Sequence, residues 1–371
     1  MSEGKLNAAL MTVDKVVSVL SDAYVSVLEK GLPAKAFPSV MLWGAPGVGK
    51  SQAVRQIADE ITYRTGKKVV VTDVRLLLFN PIDLRGIPTA NEDKTEAVWL
   101  RPQIFRMDGG KNVVNILFLD EISAAPPSVQ AAAYQIALDR TVGEHRLPDN
   151  CIVLAAGNRL TDKSVAYKMP KALANRFLHI EVEPSFSSWK KWAIGAGIHP
   201  TVVSFLSFRR NYLIDESPLS EAVAYPTPRS WEMVSDVLNN VSDDVSVVYD
   251  LIAGLVGSGI AVEYRTYLKI FSTLPDVAEI FRGREPTAPK SNDAVYALVE
   301  AMTSYARAHK TDYTAIDHSI RYASRYLSPD FCAVLLRNYT YLEKDYVKKL
   351  LQMESYRRWM SVHGKLLNGA V

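Results

Sequence analysis

Eight consecutive residues near the start of the chain have the types and spacing of a phosphate-binding loop. They are Gly44, Ala45, Pro46, Gly47, Val48, Gly49, Lys50 and Ser51, and they fit the pattern GxxxxGK[S/T] at every position. Glycines let backbone N–H groups turn toward phosphates, the lysine reaches the β- and γ-phosphates, and the serine hydroxyl can ligate Mg²⁺. An apolar run before the loop, Val40–Trp43, and apolar residues at helical spacing after it predict a strand, loop and helix that bind a nucleotide.

A pair of carboxylates is the second chemical signal. Asp120 and Glu121 end the apolar run Val113–Leu119, which predicts a central strand of a parallel sheet. Because ligands of open α/β sheets bind beyond the carboxyl ends of the strands, we expect both acids near the phosphate loop. Asp120, with Ser51, would hold the Mg²⁺ shell, and Glu121 would orient or polarise the attacking water. Strands also end in solvated acids, but the second acid beside a phosphate loop favours ATP hydrolysis over a simple GTPase or small-molecule kinase.

A third polar group follows the next apolar run, Ile152–Ala156. Gly157 permits a turn there, and Asn158 would then lie at the same edge of the sheet. Its amide could hold the attacking water or contact the γ-phosphate, although asparagine is also common in ordinary turns.

Composition limits the remaining possibilities. A chain of 371 residues has room for two or three domains, and it contains no run of 18 apolar residues and no secretory signal at its start. The two cysteines, Cys151 and Cys332, are far apart, which favours free thiols and a cytoplasmic location. A net charge of +3 is too small to indicate nucleic-acid binding by itself, and the six histidines show no metal-binding spacing.

Taken together, the motifs GAPGVGKS, ILFLDE, AAGN, LANRF and TPRS resemble those of the AAA+ ATPases, specifically the MoxR family of the helix-2-insert group. The resemblance covers about residues 10–285. It implies an α/β fold: a P-loop AAA+ core whose parallel sheet has the order 5-1-4-3-2, followed by an α-helical lid. We expect the nucleotide-binding core over residues 1–183, the lid over 184–285, and a C-terminal helical extension over 286–371, which lies outside the resemblance.

The resemblance also assigns roles to three polar residues. Asn158 takes the sensor-1 role, and Arg176 takes the role of an arginine finger that reaches the γ-phosphate bound by an adjacent subunit. Arg229 takes the sensor-2 role, at the start of a helix that Pro228 would begin. The alternatives are that Arg176 closes a helix and that Arg229 is a solvated side chain.

Two segments resemble the hairpins of the helix-2-insert group. One lies within residues 80–105, between the strand predicted over Lys68–Asp73 and the acid-pair strand, and the other spans Leu138–Asn150. Both mix basic and acidic side chains, which counts against a pore that grips DNA. The first also lacks an aromatic–glycine pair, so we expect remodelling rather than processive threading of a protein.

Three functions remain open. The first is a ring-forming ATPase, which the resemblance implies is hexameric. It would remodel an unidentified protein client together with a separate protein that carries a von Willebrand factor A domain. The second is an ATP-driven nucleic-acid motor or loader, and the third is a non-catalytic switch. Beyond residue 286, arginines alternate with aromatic residues; we expect half-buried helix faces there, with nucleic-acid stacking as the alternative.

Overall fold

The computed structural model describes residues 8–159, 162, 167, 169–170, 174–214, 223–271 and 273–369. The chain divides into two compact units, Met1–Ser185 and Phe186–Val371. The first unit is an α/β layer structure that contains the phosphate loop, and the second is helical throughout its described part.

Six parallel strands form the main sheet of the first unit. They are β1 (Ala9–Thr12), β2 (Val40–Trp43), β3 (Lys68–Arg75), β6 (Val113–Asp120), β9 (Cys151–Gly157) and β10 (Leu178–Glu183). Their order across the sheet is β1-β10-β2-β9-β6-β3. Without β1, the order is the predicted 5-1-4-3-2, so the predicted fold class is confirmed.

The edge strand β1 was not predicted. It pairs in parallel with β10, with Ala9 opposite Ile180 and Thr12 opposite Glu183. The sequence carries little sign of it because four residues are too few to show a period of two, and helix α1 (Val13–Glu29) begins at the next residue.

The central strands alternate their side chains between two apolar layers. On β2, Val40 and Leu42 pack in the layer covered by α1 and by α2 (Lys50–Thr65). Met41 and Trp43 face the opposite layer, which is covered by α4 (Pro127–Asp139). Burial on both faces explains why these strands appear in the sequence as almost continuous apolar runs. It also holds their carboxyl ends, where the polar motifs follow, at one edge of the sheet.

Both predicted hairpins are present. The first consists of β4 (Ile87–Ala90) and β5 (Ala97–Leu100) and follows the short helix α3 (Pro81–Arg85). The second consists of β7 (Thr141–Val142) and β8 (His145–Arg146), which directly follow α4. A hydrogen bond of 2.7 Å between His145 Nε2 and the Trp99 carbonyl oxygen joins the two hairpins.

The second unit contains twelve helices in the described residues. In chain order they are α5 (Phe186–Ala196), α6 (Pro200–Phe208), α7 (Pro228–Asn240), α8 (Val245–Val256), α9 (Ser258–Phe271), α10 (Val277–Phe281), α11 (Asn292–Ala308), α12 (Tyr313–Tyr326), α13 (Pro329–Thr340), α14 (Tyr346–Leu350), α15 (Glu354–His363) and α16 (Lys365–Gly369). Short 3₁₀ turns lie at Ala34–Ala36, Leu76–Leu78, Gln103–Phe105 and Arg210–Tyr212.

Two apolar clusters organise this helical unit. One is centred on Phe205, Trp231 and Tyr264 and is formed mainly by α5–α9. The other is formed mainly by α10–α15 and includes Ile316, Ile320 and Ala323, the residues whose helical spacing predicted α12. A division between a lid and a C-terminal extension at residues 285 and 286 stays a prediction.

The helices of the tail are half-buried, as we expected, with buried aromatic rings next to exposed arginines. Tyr322 is buried and donates a hydrogen bond to the Pro286 carbonyl oxygen, while Arg325 and Tyr326 both contact Glu285. None of the helices in the described residues is long and apolar enough to cross a membrane.

Candidate nucleotide-binding site

The phosphate loop begins where β2 ends and closes at the first residue of α2. Gly44 lies so close to the neighbouring strand that a Cβ there would stand 2.8 Å from the Val182 carbonyl oxygen. Gly49 is the N-cap of α2 with φ of 107°, a backbone conformation that favours glycine. The free N–H groups and the positive end of the helix dipole at this terminus suit a phosphate.

Lys50 is buried at the base of the loop. Its Nζ donates hydrogen bonds to the carbonyl oxygens of Gly44 (2.5 Å) and Ala45 (3.0 Å) and to Asn158 Oδ1 (3.0 Å). The side chain is 8% exposed. A buried ammonium group needs such partners, and they hold it at the inner surface of the loop, where it can meet a phosphate oxygen.

The serine and the first acid of the predicted magnesium site are in contact. Ser51 Oγ donates a hydrogen bond of 3.0 Å to Asp120 Oδ2. A hydroxyl and a carboxylate at this distance are oxygen ligands of the kind that Mg²⁺ prefers when it is shared with substrate phosphates. The residues present therefore fit the metal ion.

Glu121 has an unusual backbone. Its φ is 59°, in the left-handed region that costs a non-glycine residue about 1–2 kcal/mol. The conformation lets its N–H donate to Asp120 Oδ1 (2.8 Å), while the next residue, Ile122, returns to the sheet and donates to the Ala156 carbonyl oxygen (2.9 Å). The left-handed turn ends the strand at Glu121, which is partly exposed; its role as the catalytic carboxylate stays a prediction.

Asn158 is fixed by two contacts that the sequence did not reveal. Its backbone N–H donates to Oγ of the buried Ser123 (2.8 Å), and its side-chain oxygen accepts the bond from Lys50. The next residue, Arg159, forms a fork on Asp162 and also contacts Glu181 on β10. These bonds, with Asp162 first, raise the pKa of Arg159 above its ordinary value. They hold Arg159 and Asp162 beside β10.

A further carboxylate adjoins the acid pair. Asp73 lies on β3 beside β6, where Arg75 is directly opposite Asp120. Partial desolvation, and after it the negative charge of Asp120, raise the pKa of Asp73 above its usual value, whereas Arg75 and Arg55 act in the opposite direction. The carboxylates of Asp73 and Asp120 are therefore close enough to repel each other, and a cation near both would lower the pKa of Asp73.

Arg176 does not join these residues. It precedes β10, whose first residue, Leu178, is opposite Val40 and bonds to the Ser39 carbonyl oxygen. Arg176 is exposed and lines a cavity of about 930 Å³ together with Ser39, Arg140 and Cys151. These residues mark the amino ends of the strands, so Arg176 lies at the edge of the sheet opposite the phosphate loop.

Arg229 belongs to the helical unit and is exposed. It is the second residue of α7, which begins at Pro228 as predicted, behind an N-cap in which Thr227 and Ser230 exchange hydrogen bonds. A cation in the first turn opposes the helix dipole, which fits a residue that meets an anion. Its sensor-2 role stays a prediction.

Sequence comparison agrees with this geometry. Residues 39–179 match the model of the ATPase family associated with various cellular activities (AAA). Chaperone MoxR1 of Mycobacterium tuberculosis (strain ATCC 25618 / H37Rv) is 29% identical over 177 residues, which are 47% of this chain and 42% of that protein. The match thus spans less than half of the length of this curated relative.

Solved structures with weaker similarity include a RuvB mutant from Thermotoga maritima and NtrX from Brucella abortus in complex with ATP. The first is 17% identical, with 78% of this chain and 81% of that chain covered and a TM-score of 0.34. The second is 13% identical, with 96% and 66% covered and a TM-score of 0.36. Structures with TM-scores this low do not support a fold assignment, so the assignment rests on the strand order and the motifs.

The sheet order and the phosphate loop with its acid pair and polar strand end define a P-loop ATPase domain of the AAA+ class. Within that class, the motif set resembles that of the MoxR family, and the chain is similar to MoxR1 over 177 residues.

Proposed function

We propose that this protein forms a ring, of six subunits in the manner of the family, and couples ATP hydrolysis to the remodelling of a protein partner. One observation carries the proposal: Arg176 lies at the amino edge of the sheet, whereas Lys50, Asp120 and Asn158 lie at the carboxyl edge. A chain with its arginine finger and its own phosphate loop on opposite edges completes a catalytic site only with a second copy.

The residues at the carboxyl edge have distinct tasks in this proposal. The loop N–H groups and Lys50 bind the phosphates of ATP, and Asn158, held by Ser123, orients the γ-phosphate or the attacking water. Glu121 polarises that water. Ser51 and Asp120 would hold Mg²⁺, which when bound neutralises charge on the β- and γ-phosphate oxygens.

Arg176 supplies positive charge to the γ-phosphate of the neighbouring subunit. An arginine finger of this kind contributes about 10³–10⁵ in rate, whereas an arginine that only caps a helix end contributes about 0.3–1 kcal/mol. Arg229, from the helical unit, contacts bound nucleotide as sensor 2. Dependence on a neighbour's arginine links hydrolysis to assembly.

The first hairpin favours a protein client over a nucleic acid. Ile87 and Leu100 are directly opposite each other on β4 and β5, and both are more than half exposed, at 61% and 57%. An exposed apolar pair suits side chains of a polypeptide, while a phosphate backbone would need a basic hairpin. The proposal includes a separate partner with a von Willebrand factor A domain and a cytoplasmic location, which the two free cysteines support.

The test measures assembly and turnover together. The Glu121→Gln protein should form an ATP-dependent ring, seen as solution mass with and without ATP, and Arg176→Ala should lower wild-type turnover by about 10³-fold or more. Arg146→Ala is the matched control, because Arg146 is exposed and lines the same cavity. A monomer at every concentration, with Arg176→Ala as active as Arg146→Ala, would refute a shared site.

A second measurement separates the two client classes. Turnover is followed with single-stranded DNA, duplex DNA or an unfolded polypeptide added at the same salt concentration. Stimulation by polypeptide that is lost in an Ile87→Ser/Leu100→Ser variant supports the proposal. Stimulation by DNA instead would make the protein a nucleic-acid motor or loader.

A further inference from the structure

We infer that His179 is the residue that positions Arg176, by tying the segment that carries this arginine to the strand that carries the phosphate loop. The inference rests on the proposed function of Arg176 as a finger that acts in the neighbouring subunit. It assigns a task to a side chain that belongs to none of the motifs and does not contact the phosphate loop directly.

Both ring nitrogens of His179 have partners. The Trp43 indole Nε1–H donates a hydrogen bond of 2.8 Å to His179 Nδ1, and His179 Nε2 lies 2.7 Å from the Ala174 carbonyl oxygen. An indole N–H can only donate and a carbonyl oxygen can only accept. The two bonds therefore require a neutral imidazole with its hydrogen on Nε2. The ring accepts a hydrogen bond from Trp43 at Nδ1 and donates one to Ala174 at Nε2.

One end of this bridge is the strand that leads into the phosphate loop. Trp43 is the last residue of β2, it is buried, and Gly44 follows it. The indole and imidazole rings are also stacked, with centroids 6.1 Å apart and an interplanar angle of 17°. The strand end thus holds the histidine ring both by stacking and by a hydrogen bond.

The other end is the turn that carries Arg176. The Ala174 carbonyl oxygen accepts the bond from His179 and also a bond of 3.1 Å from the Phe177 N–H. Residues 174–177 therefore close as one turn around this oxygen, and Arg176 lies within it. Phe177 is buried against Tyr134 and His179, so the turn has an anchored side and Arg176 projects from the exposed side.

This arrangement predicts where a defect would appear. Loss of the bridge removes one of the two hydrogen bonds to the Ala174 carbonyl oxygen and lets the turn shift, while the bonds of Lys50 at the phosphate loop remain. A catalytic group that moves by about 1 Å can lose about 10²-fold in rate. The loss should fall on turnover in the neighbouring subunit and leave ATP binding in the same subunit unchanged.

Two variants at the same position test the hydrogen bonds. His179→Phe keeps an aromatic ring but loses both bonds, so kcat should fall by about 10- to 100-fold with the affinity for ATP within about twofold of wild type. His179→Gln retains one acceptor and one donor and should recover much of kcat. Equal kcat in all three proteins, or a loss of ATP affinity as large as the loss of kcat, would overturn the inference.

Mixed rings then locate the defect. Lys50→Ala subunits cannot bind ATP but retain the Trp43–His179–Ala174 bridge, so they should supply a correctly placed Arg176 to a His179→Phe neighbour. Turnover of that mixture should exceed the sum of the two pure variants. No gain would place the defect of His179→Phe in its own site and overturn the inference.

A control mixture of Lys50→Ala with Arg176→Ala subunits keeps the two hypotheses apart. Recovery in the control without recovery for His179→Phe rejects only the role of His179. Failure of the control rejects the shared site, and with it the proposed function and this inference. If His179→Phe does not fold, Trp43→Phe removes only the donor to Nδ1, and the same recovery in mixed rings is expected.

Discussion

Lys50 Nζ and Asn158 Oδ1 are hydrogen-bonded at 3.0 Å, although 108 residues separate them in the chain. The bond joins the first residue of α2 to the loop after β9, so the cation and the amide form one cluster at the phosphate loop. Because Lys50 also bonds to two carbonyl oxygens of the loop, groups of the protein itself orient its ammonium group. Such preorganisation lowers the cost of binding an anion.

Lys50→Ala should abolish ATP binding. The variant removes the buried cation that faces the phosphates, and loss of one partner of a buried charge pair costs about 3–5 kcal/mol, which is more than about a hundredfold in affinity. Titration calorimetry with ATP measures the change, and circular dichroism checks that the variant is folded. Lys67→Ala is the matched control, because Lys67 is a partly exposed cation just beyond α2 whose hydrogen bond to the Lys111 carbonyl oxygen is exposed. Binding within threefold of wild type would contradict the assignment of the loop.

Glu121 allows a prediction that separates catalysis from backbone strain. Glu121→Gln should retain ATP binding and lose turnover by about 10²–10⁴-fold, because the base is gone and the shape is kept. Glu121→Gly should lose turnover as well, but it should also be more stable by about 1 kcal/mol, since φ of 59° costs glycine nothing. Turnover assays and thermal unfolding of both variants check this. Normal turnover in Glu121→Gln would remove Glu121 from the mechanism.

Asp73 should destabilise the fold at neutral pH. Partial desolvation and Asp120 raise its pKa above the ordinary 3.8, so its contribution to stability is complete below that pH and is lost as the pH rises through the raised value. Asp73→Asn should therefore be more stable than wild type at pH 7 and unfold at a higher temperature. The gain in the free energy of unfolding should be about 0.5 kcal/mol or less, because the group is largely exposed. The difference should vanish near pH 3.5.

The control for Asp73 is Asp59→Asn, at an exposed carboxylate on α2. This control variant should be no more stable to thermal unfolding than wild type at either pH. A gain in Asp73→Asn that persists at pH 3.5 would show that charge is not its cause.

Strands β2, β6 and β9 could be predicted from the sequence because burial on both faces leaves a nearly unbroken apolar run in each of them. The site residues at the strand ends follow from the same logic, since parallel strands bring their carboxyl ends to one edge. The predicted strand over Lys68–Asp73 continues to Arg75, because polar residues on an edge strand carry no apolar signal. Strand β1 was missed for the related reason that four residues show no period.

The contacts that hold the site residues in place could not be predicted. Ser123 is 35 residues from Asn158, and Trp43 is 136 residues from His179. Each bond depends on how a loop packs after its strand, and residue type alone does not determine that packing. Ser123 lies two residues after the acid pair and His179 lies two residues after the finger motif, and these positions alone do not reveal which partners the side chains bind.

The two cysteines should be unreactive in the folded protein. Burial raises the pKa of both thiols, Cys151 and Cys332, to about 12. Since the thiolate is the reactive form, reaction with a disulfide reagent at pH 8 should be at least about 100-fold slower than for an exposed thiol. Both should react fully in denaturant. Rapid labelling of the native protein would contradict the packing around the labelled cysteine.

The raised thiol pKa values also predict the direction of alkaline destabilisation. A thiol that ionises near pH 9 when unfolded and near pH 12 when folded contributes stability below pH 9, and this contribution is lost as the pH rises. Cys151→Ser should therefore reduce the loss of stability between pH 8 and pH 10.5, relative to wild type. Urea unfolding midpoints at the two pH values measure the effect.

A buried ion pair in the helical unit should be among its most sensitive positions. Lys190 Nζ and Glu300 Oε1 are 2.5 Å apart, and the glutamate side chain is 2% exposed. Asn338 donates to both carboxylate oxygens at 3.2 Å. Lys190→Met leaves the carboxylate buried without its cation and should cost about 3–5 kcal/mol, measured by urea unfolding.

A second substitution should reverse most of this loss. In Lys190→Met/Glu300→Gln, the buried charge is gone and the amide can still bond to Asn338, so stability should return to within about 1–2 kcal/mol of wild type. Lys191→Met, at the exposed lysine next in the chain, should change stability by about 0.5 kcal/mol or less.

The loss of stability in Lys190→Met should persist in 1 M salt, because a buried pair is poorly screened. A loss that disappears in salt, or that the second substitution does not reduce, would show that the pair is solvated rather than buried.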